Sequence, residues 1–251
     1  MYAKKFVFTA ATMPALVFMN RAADFQQRRA QDKTQEGARR QRSLSEQAVD
    51  ITPRNGAAFP WAGKDAAQFE QEWSMKPVEL RGYLDHSKET FVEKWKDGEK
   101  GVEIVTPFYT HLNGKEQPCA VLVNRGWMPW DLKDFRYDKQ ASVTKVQGIL
   151  YRGDNQTKYS KQNQPAYQRY HSVRPEEISA MCQLPNEDAK QFMVKAVDFD
   201  PAARTVHPVV DSPAELTSFG IPQERHAAYE SLWTYLSYAG IVANTAVWLY
   251  L

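Results

Sequence analysis

The stretch Ala120-Val-Leu-Val-Asn-Arg-Gly-Trp-Met-Pro129 sets the character of the middle of this chain. Its first residues, Ala120 to Asn124, form a short apolar run rich in valine, the composition of a β-strand. Asn124-Arg125-Gly126-Trp127 then ends the run abruptly, so a structural corner is expected there. At that corner Arg125 could pair with a carboxylate, and Trp127 either packs inward or lies against a membrane surface.

Working outward, runs of the same kind recur at Val78 to Leu84, Val102 to Tyr109, Val143 to Tyr151 and Phe192 to Val197. Turn signals separate them at Asp97-Gly98, Asn113-Gly114 and Gly153-Asp154-Asn155. Pro175 to Met181 opens with the proline and acidic residues of a helix start. A second short helical stretch runs from Asp65 to Trp73, after Pro53, Gly56, Pro60 and Gly63 have interrupted regular structure. The fold class read from this pattern is α+β, a soluble β-rich domain over residues 77–228. Ahead of it, residues 26–76 begin with charges and glutamines up to Asp50 and read as a polar helical linker whose role is spacing. No period recurs along the chain, which excludes repeat arrays.

The two ends differ from the middle. Leu232 to Leu251 contains no Asp, Glu, Lys or Arg. As a helix it would match a hydrocarbon core of roughly 30 Å. Trp233, Tyr235 and Tyr238 at one end, with Trp248 and Tyr250 at the other, suit the headgroup zones. Small residues Ala239, Gly240, Ala243 and Ala246 would admit a second helix at close range, and Asn244 could hydrogen-bond to it. Residues 229–251 are therefore read as a transmembrane helix, the alternative being a buried C-terminal helix of a soluble domain. The span 2–25 is read as another, with Lys4 and Lys5 snorkelling at one end and Arg21 at the other; a cleaved secretory signal is the rival. Two crossings put both termini on one side, and the positive-inside rule places Lys4 and Lys5 on the matrix or cytoplasmic face, so the soluble domain faces outward.

Composition and motifs exclude several functions. With 32 basic and 30 acidic residues the net charge is +2, which gives no field directed at nucleic acid. Neither GxGxxG, GxxxxGK[ST] nor GxSxG occurs. His86, His111, His171, His207 and His226 stand singly, without the HxxxH spacing that puts two imidazoles on one helical face. Asp85-His86-Ser87 has the residue types of a nucleophilic triad, but neighbours on a strand alternate faces and cannot converge, so it reads as a turn or strand end. Cys119 and Cys182 lack metal-site spacing and read as two small buried hydrophobes, with one disulfide as the alternative in an oxidising compartment. The chain is thus not expected to be an enzyme or to hold a metal.

At several ordered blocks the chain resembles the surfeit locus protein 1 family. Arg81-Gly-Tyr-Leu-Asp-His-Ser-Lys-Glu89 is similar to that family's early strand motif, and Val105-Thr-Pro-Phe108 to its next. Val121-Leu-Val-Asn-Arg-Gly-Trp-Met-Pro129 is the most specific block, so Arg81, Gly82, Asn124, Arg125, Gly126, Trp127 and Pro129 are the family-motif residues. Asn163-Gln-Pro165 followed by Tyr170-His171 resembles its NxP segment, Phe25-Gln-Gln-Arg-Arg29 its WQxxR segment with Phe in the Trp position, and Tyr235 to Gly240 its second membrane helix.

The resemblance implies two membrane helices, a domain in the intermembrane space or periplasm, and a role in biogenesis of cytochrome c oxidase. Some bacterial relatives bind heme a, a role linked to a histidine at the start of the second membrane helix. In this chain Ser231 replaces that family histidine. The nearest imidazole, His226, lies five residues earlier, roughly 140° away around a helix, and leaves His226 and Tyr229 as weak heme candidates. No cofactor is expected, with heme a as the alternative. The expected partners are membrane lipids and cytochrome c oxidase subunits, above all the large heme-bearing one. The resemblance fits either a transient assembly factor or a stable accessory subunit of the oxidase or of a respiratory supercomplex. Departures from the motifs look like those of a divergent eukaryotic member, which points to the mitochondrial inner membrane.

Overall fold

Among the described residues seven strands form from the β-branched and aromatic runs: β1 Val49–Asp50, β2 Pro77–Leu84, β3 Thr90–Lys96, β4 Glu99–Tyr109, β5 Ala120–Pro129, β6 Thr144–Tyr151 and β7 Met193–Ala196. The computed structural model describes residues 2–53, 58–110, 119–133, 144–199 and 207–250. His111, the Asn113-Gly114 turn, Val143 and Leu251 lie outside the described residues. The chain divides into two units, Arg40–Leu216 and the pair of segments Met1–Arg39 and Thr217–Leu251.

In the first unit the strands make one mixed sheet in the order β1-β2-β6-β7-β5-β4-β3, with β2 also paired to β4. That extra pairing closes a ring of five strands, β2-β6-β7-β5-β4, into a small barrel, with β1 and β3 as its flanking edge strands. Closure occurs where Tyr83 and Leu84 pair with Tyr109 and Phe108. The adjacent Gly82 permits it: a Cβ there would run into the Tyr109 carbonyl oxygen. The β5–β7 and β1–β2 pairings are parallel and the others antiparallel.

Strand β3 was not anticipated, although its turn was. Asp97 (φ 51°) and Gly98 (φ 84°) both adopt left-handed backbone, and Lys96 pairs with Glu99 across them. That is a two-residue hairpin, so a strand had to precede the turn as well as follow it. Strand β5 also differs from expectation, since it continues through Asn124-Arg125-Gly126-Trp127 to Pro129. The ladder absorbs the corner as a register shift opposite Glu103 and Val105 of β4 instead of ending there.

The stretch read as a polar spacer is a larger correction. Within it, α2 (Ala66–Trp73) starts on the Asp65 side-chain cap, as the sequence implied. But Ile51, Phe59, Trp61 and Phe69 are buried against Val78, Leu80, Phe108, Val121, Leu150 and Phe192 of the barrel. Phe59 stacks on Trp61 at 4.6 Å, and the Trp61 indole donates to the Asp188 carbonyl at 3.0 Å. Prolines and glycines that break periodicity do not stop a chain from delivering large aromatics to a core, and residues 40–76 belong to the folded unit. A second cluster joins Val92, Val105, Leu122 and Met193 to Tyr170, Val173 and α3 (Pro175–Met181), with α4 (Pro213–Thr217) near the unit's end. Cys119 and Cys182 are free thiols; Cys182 is buried in this second cluster and Cys119 only partly buried.

The second unit pairs most of α1 (Tyr2–Leu44) with α5 (Gln223–Tyr250). Contacts run Thr9 to Trp248, Thr12 to Asn244, Leu16 to Gly240, Asn20 to Ser237 and Gln26 to His226, so the helices are antiparallel. The less exposed positions of α1, Lys5, Thr9, Thr12, Leu16, Met19, Ala23 and Gln26, repeat at alternating spacings of four and three, the seam of a left-handed helix pair. The partner helix anticipated for Gly240 and Asn244 is thus the chain's own N-terminal helix, whereas Ala239, Ala243 and Ala246 are exposed. Lys5, expected to snorkel, is 7% exposed and donates to the Trp248 carbonyl at 2.9 Å, capping the C-terminal end of α5. Among the described residues, α1 is the one helix long and apolar enough to cross a membrane by length and composition.

Candidate functional site

The motif segments, separated in sequence, converge beside the start of β3. After β2 the Asp85 carboxylate accepts from the Ser87 amide at 3.1 Å and caps a short 3-10 turn, His86–Lys88. The turn brings His86 and Glu89 against β4 and β5. The Glu89 side chain is 4% exposed, and its Oε1 lies 2.6 Å from His86 Nδ1 and 3.0 Å from Arg125 Nη1 and accepts from Thr106 Oγ1 at 3.2 Å. A carboxylate so far from water is tolerable only with such compensation, because burying an unpaired charge costs several kcal/mol. The pairing expected of Arg125 is therefore present, and its partner comes from the RGYLDHSKE block.

Local geometry explains how Arg125 reaches it. Gly126 has φ 115°, a backbone state costly for other residues, and a Cβ there would run into the Val209 carbonyl. The Asn124 side chain accepts from the Gly126 amide at 3.0 Å and holds the bulge. Trp127 is locked on the other side, its amide donating to Val209 at 2.9 Å and its indole to the Lys94 carbonyl at 3.3 Å. It lies over Gly101, so it packs inward and not on a membrane. Pro129 ends β5 opposite Gly101. Arg81 points elsewhere, pairing with Glu79 at 3.0 Å on an exposed face. Of the motif residues, Arg125 alone joins the polar cluster; Gly82, Asn124, Gly126, Trp127 and Pro129 build the barrel around it.

The NxP segment forms one wall. Asn163 Oδ1 accepts from the His171 and Ser172 amides at 2.8 and 3.0 Å, while Nδ2 donates to Glu177 at 2.7 Å. This fixes Tyr170, whose carbonyl accepts from the Glu93 amide of β3 at 2.8 Å. Between these walls opens a cavity of 980 Å³ with Glu89 on its lining.

A second charged layer was not anticipated. Glu103 of β4 is buried among Lys195, Lys94 and Asp154, and burial pushes its carboxyl pKa up against the pull of the two lysines. Among the described residues its Oε2 has no hydrogen-bond partner. Asp154 resists its own burial and stays below the usual carboxylate range, because Lys94, the Tyr151 hydroxyl and the Val173 amide all stabilise the anion. Asp211 is likewise held low despite burial by Lys195 and Lys96. The sequence signal was an acid inside the apolar run Val102 to Phe108, a residue type rarely buried without partners.

The heme candidates lie together near the start of α5. His226 Nδ1 lies 2.8 Å from Gln26 Oε1, inside the α1–α5 pair. Ser231 is exposed, with its hydroxyl on the Ala227 carbonyl at 3.0 Å, and Tyr229 is exposed too. Serine is not among the usual heme-iron ligands, whereas His226, hydrogen-bonded through Nδ1, and the exposed Tyr229 are residue types that heme iron accepts. Among the described residues no group of three or more His, Cys, Asp or Glu is placed to hold a metal ion.

The family model of the SURF1 family matches residues 15–240, from within α1, through the whole barrel, into α5. The chain belongs to the SURF1 family. Among curated relatives, Surfeit locus protein 1 of Xenopus tropicalis is 24% identical over 133 residues. The match covers 45% of this chain and 41% of that protein's length, so the likeness spans less than half of the relative. The SURF1 match includes both the Glu89–Arg125 cluster and the α1–α5 contacts as far as Gly240.

Proposed function

We propose that this SURF1-family chain acts in the biogenesis of cytochrome c oxidase as a two-pass protein of the mitochondrial inner membrane. In this reading α1 and α5 both cross the bilayer and the barrel lies in the intermembrane space. The observation that carries it is a family match that runs from within α1, through the barrel, into α5. The antiparallel seam supports the two-pass arrangement, because Thr12 with Asn244 and Asn20 with Ser237 satisfy polar groups that would otherwise face hydrocarbon. The exposed apolar residues of α1 and α5, such as Phe6, Val7, Phe18, Ile241, Val242 and Leu249, would face lipid or the large oxidase subunit.

The role is one of binding without enzymatic chemistry and without heme ligation, since Ser231 stands at the family's histidine position. That same departure favours a second reading, a stable accessory subunit of the finished oxidase or of a supercomplex. Purification of the tagged full chain from its native membrane in mild detergent tests both. Substoichiometric recovery with immature large subunit supports the assembly role. Near one-to-one recovery with active oxidase supports the accessory role, and recovery without any oxidase subunit overturns both. A heme absorption band on the isolated chain would overturn the absence of heme ligation.

A further inference from the structure

The 980 Å³ cavity runs along the first half of β3, between the 86–88 turn, the segment Trp130–Lys133 after β5, the loop carrying Tyr167–His171, and the end of α3. Its charges are unequally compensated. The acids are compensated from behind: Glu89 by the Arg125 guanidinium at 3.0 Å and Glu93 by Lys100 at 3.9 Å. The cations are not. Lys133 sits 5.5 and 5.0 Å from the ring centroids of Phe91 and Trp130, and Lys88 donates to the Tyr109 hydroxyl at 3.3 Å. Among the described residues, neither they nor Arg169 forms an ion pair with a carboxylate. Tyr167 is 75% exposed beside them.

We propose that this cavity is a docking site for an acidic segment of a partner polypeptide. Its carboxylates would meet Lys88, Lys133 and Arg169, and an apolar or aromatic side chain would pack on Tyr167 and Trp130. Charge complementarity carries the assignment: a concave site whose own acids are quenched and whose cations are left open attracts an anionic ligand and repels a cationic one. The volume is more than a small inorganic anion fills, at the top of the roughly 300–1,000 Å³ range of ligand sites, and the exposed Tyr167 and Trp130 in its lining offer apolar surface to a peptide side chain. A flat lipid surface would not reach cations that line a cavity on opposite sides. The Glu89–Arg125 pair acquires a role here, since without Arg125 the floor would carry a negative charge facing the ligand. The inference does not depend on which respiratory assembly the protein serves.

The test is fluorescence anisotropy with the full chain in detergent and a labelled peptide, Glu-Tyr-Glu-Glu-Leu-Glu-Tyr-Glu, against its lysine-for-glutamate counterpart. The expected result is saturable binding of the acidic peptide alone, weakened about tenfold or more in the double variant Lys133→Glu/Arg169→Glu and unchanged in Lys64→Glu, a surface cation outside the cavity. Should the charge-reversal variant fail to fold by circular dichroism, Lys133→Met/Arg169→Met replaces it. A photo-reactive form of the peptide is expected to label Tyr167 or Trp130. The proposal is overturned by absence of saturable binding up to about 1 mM, by equal binding of the basic peptide, by equal weakening in Lys64→Glu, or by labelling elsewhere. It is also overturned if the same cations bind phosphatidylcholine vesicles doped with phosphatidylglycerol while the peptide does not bind.

Discussion

Replacing Arg125 by methionine would keep most of the side chain's volume while removing the cation that faces Glu89. The Glu89 side chain is 4% exposed, and its Oε1 would keep His86 at 2.6 Å and Thr106 at 3.2 Å. Breaking a buried pair by removing one partner costs about 3–5 kcal/mol, because the other charge is stranded. The contacts that remain favour the lower end, about 3 kcal/mol. For a folded unit of this size that corresponds to a fall in Tm of roughly 10 °C. The double variant Glu89→Gln/Arg125→Met removes the stranded charge and is expected to recover at least half of the loss. The assay is urea or thermal unfolding of the full chain, followed by near-ultraviolet circular dichroism of the barrel tryptophans, for wild type, both single variants and the double. A loss below about 1 kcal/mol in Arg125→Met would show that the pair behaves like an exposed salt bridge. A double variant as unstable as the sum of the singles would refute the coupling itself.

In the helix pair, Gly240→Leu is expected to push α5 away from Leu16 and weaken the hairpin, and Leu16→Ala in the same chain to restore it; steric trapping in bicelles would read both, and an unaffected hairpin would contradict the seam. In the barrel, burial raises the pKa of Glu103 above its unfolded value. The stability this group contributes is thus present at low pH and lost as pH rises through the folded pKa. Glu103→Gln is expected to flatten that decline, making the variant relatively more stable on the alkaline side; parallel unfolding midpoints for the two proteins across pH 4 to 8 would count against a raised carboxyl. Asp154 and Asp211, held low by their lysines, act in the opposite sense, and their contribution is lost as pH falls through their depressed values.

Much of this protein is determined by features that a sequence displays locally. Strands β2, β4, β6 and β7 lie where β-branched and aromatic residues cluster, and α2 and α3 begin at Asp65 and Pro175, because propensity and capping act within a few residues. The apolar composition of the ends and the ordered motif blocks are equally local, and the blocks identified the family. What the tertiary structure decided is which distant segments meet. Barrel closure at Gly82 depends on Tyr109 arriving opposite Tyr83. The aromatics at 59, 61 and 69 look like part of a linker until Phe192 and Val121 are beside them. Glu89 finds Arg125 across 36 positions, and Thr12 finds Asn244 across 232. Neither separation leaves a periodic trace, since residues so far apart are related only through the packing of the elements between them. The polar groups of this protein are therefore visible in its sequence one at a time, and their compensation only in its fold.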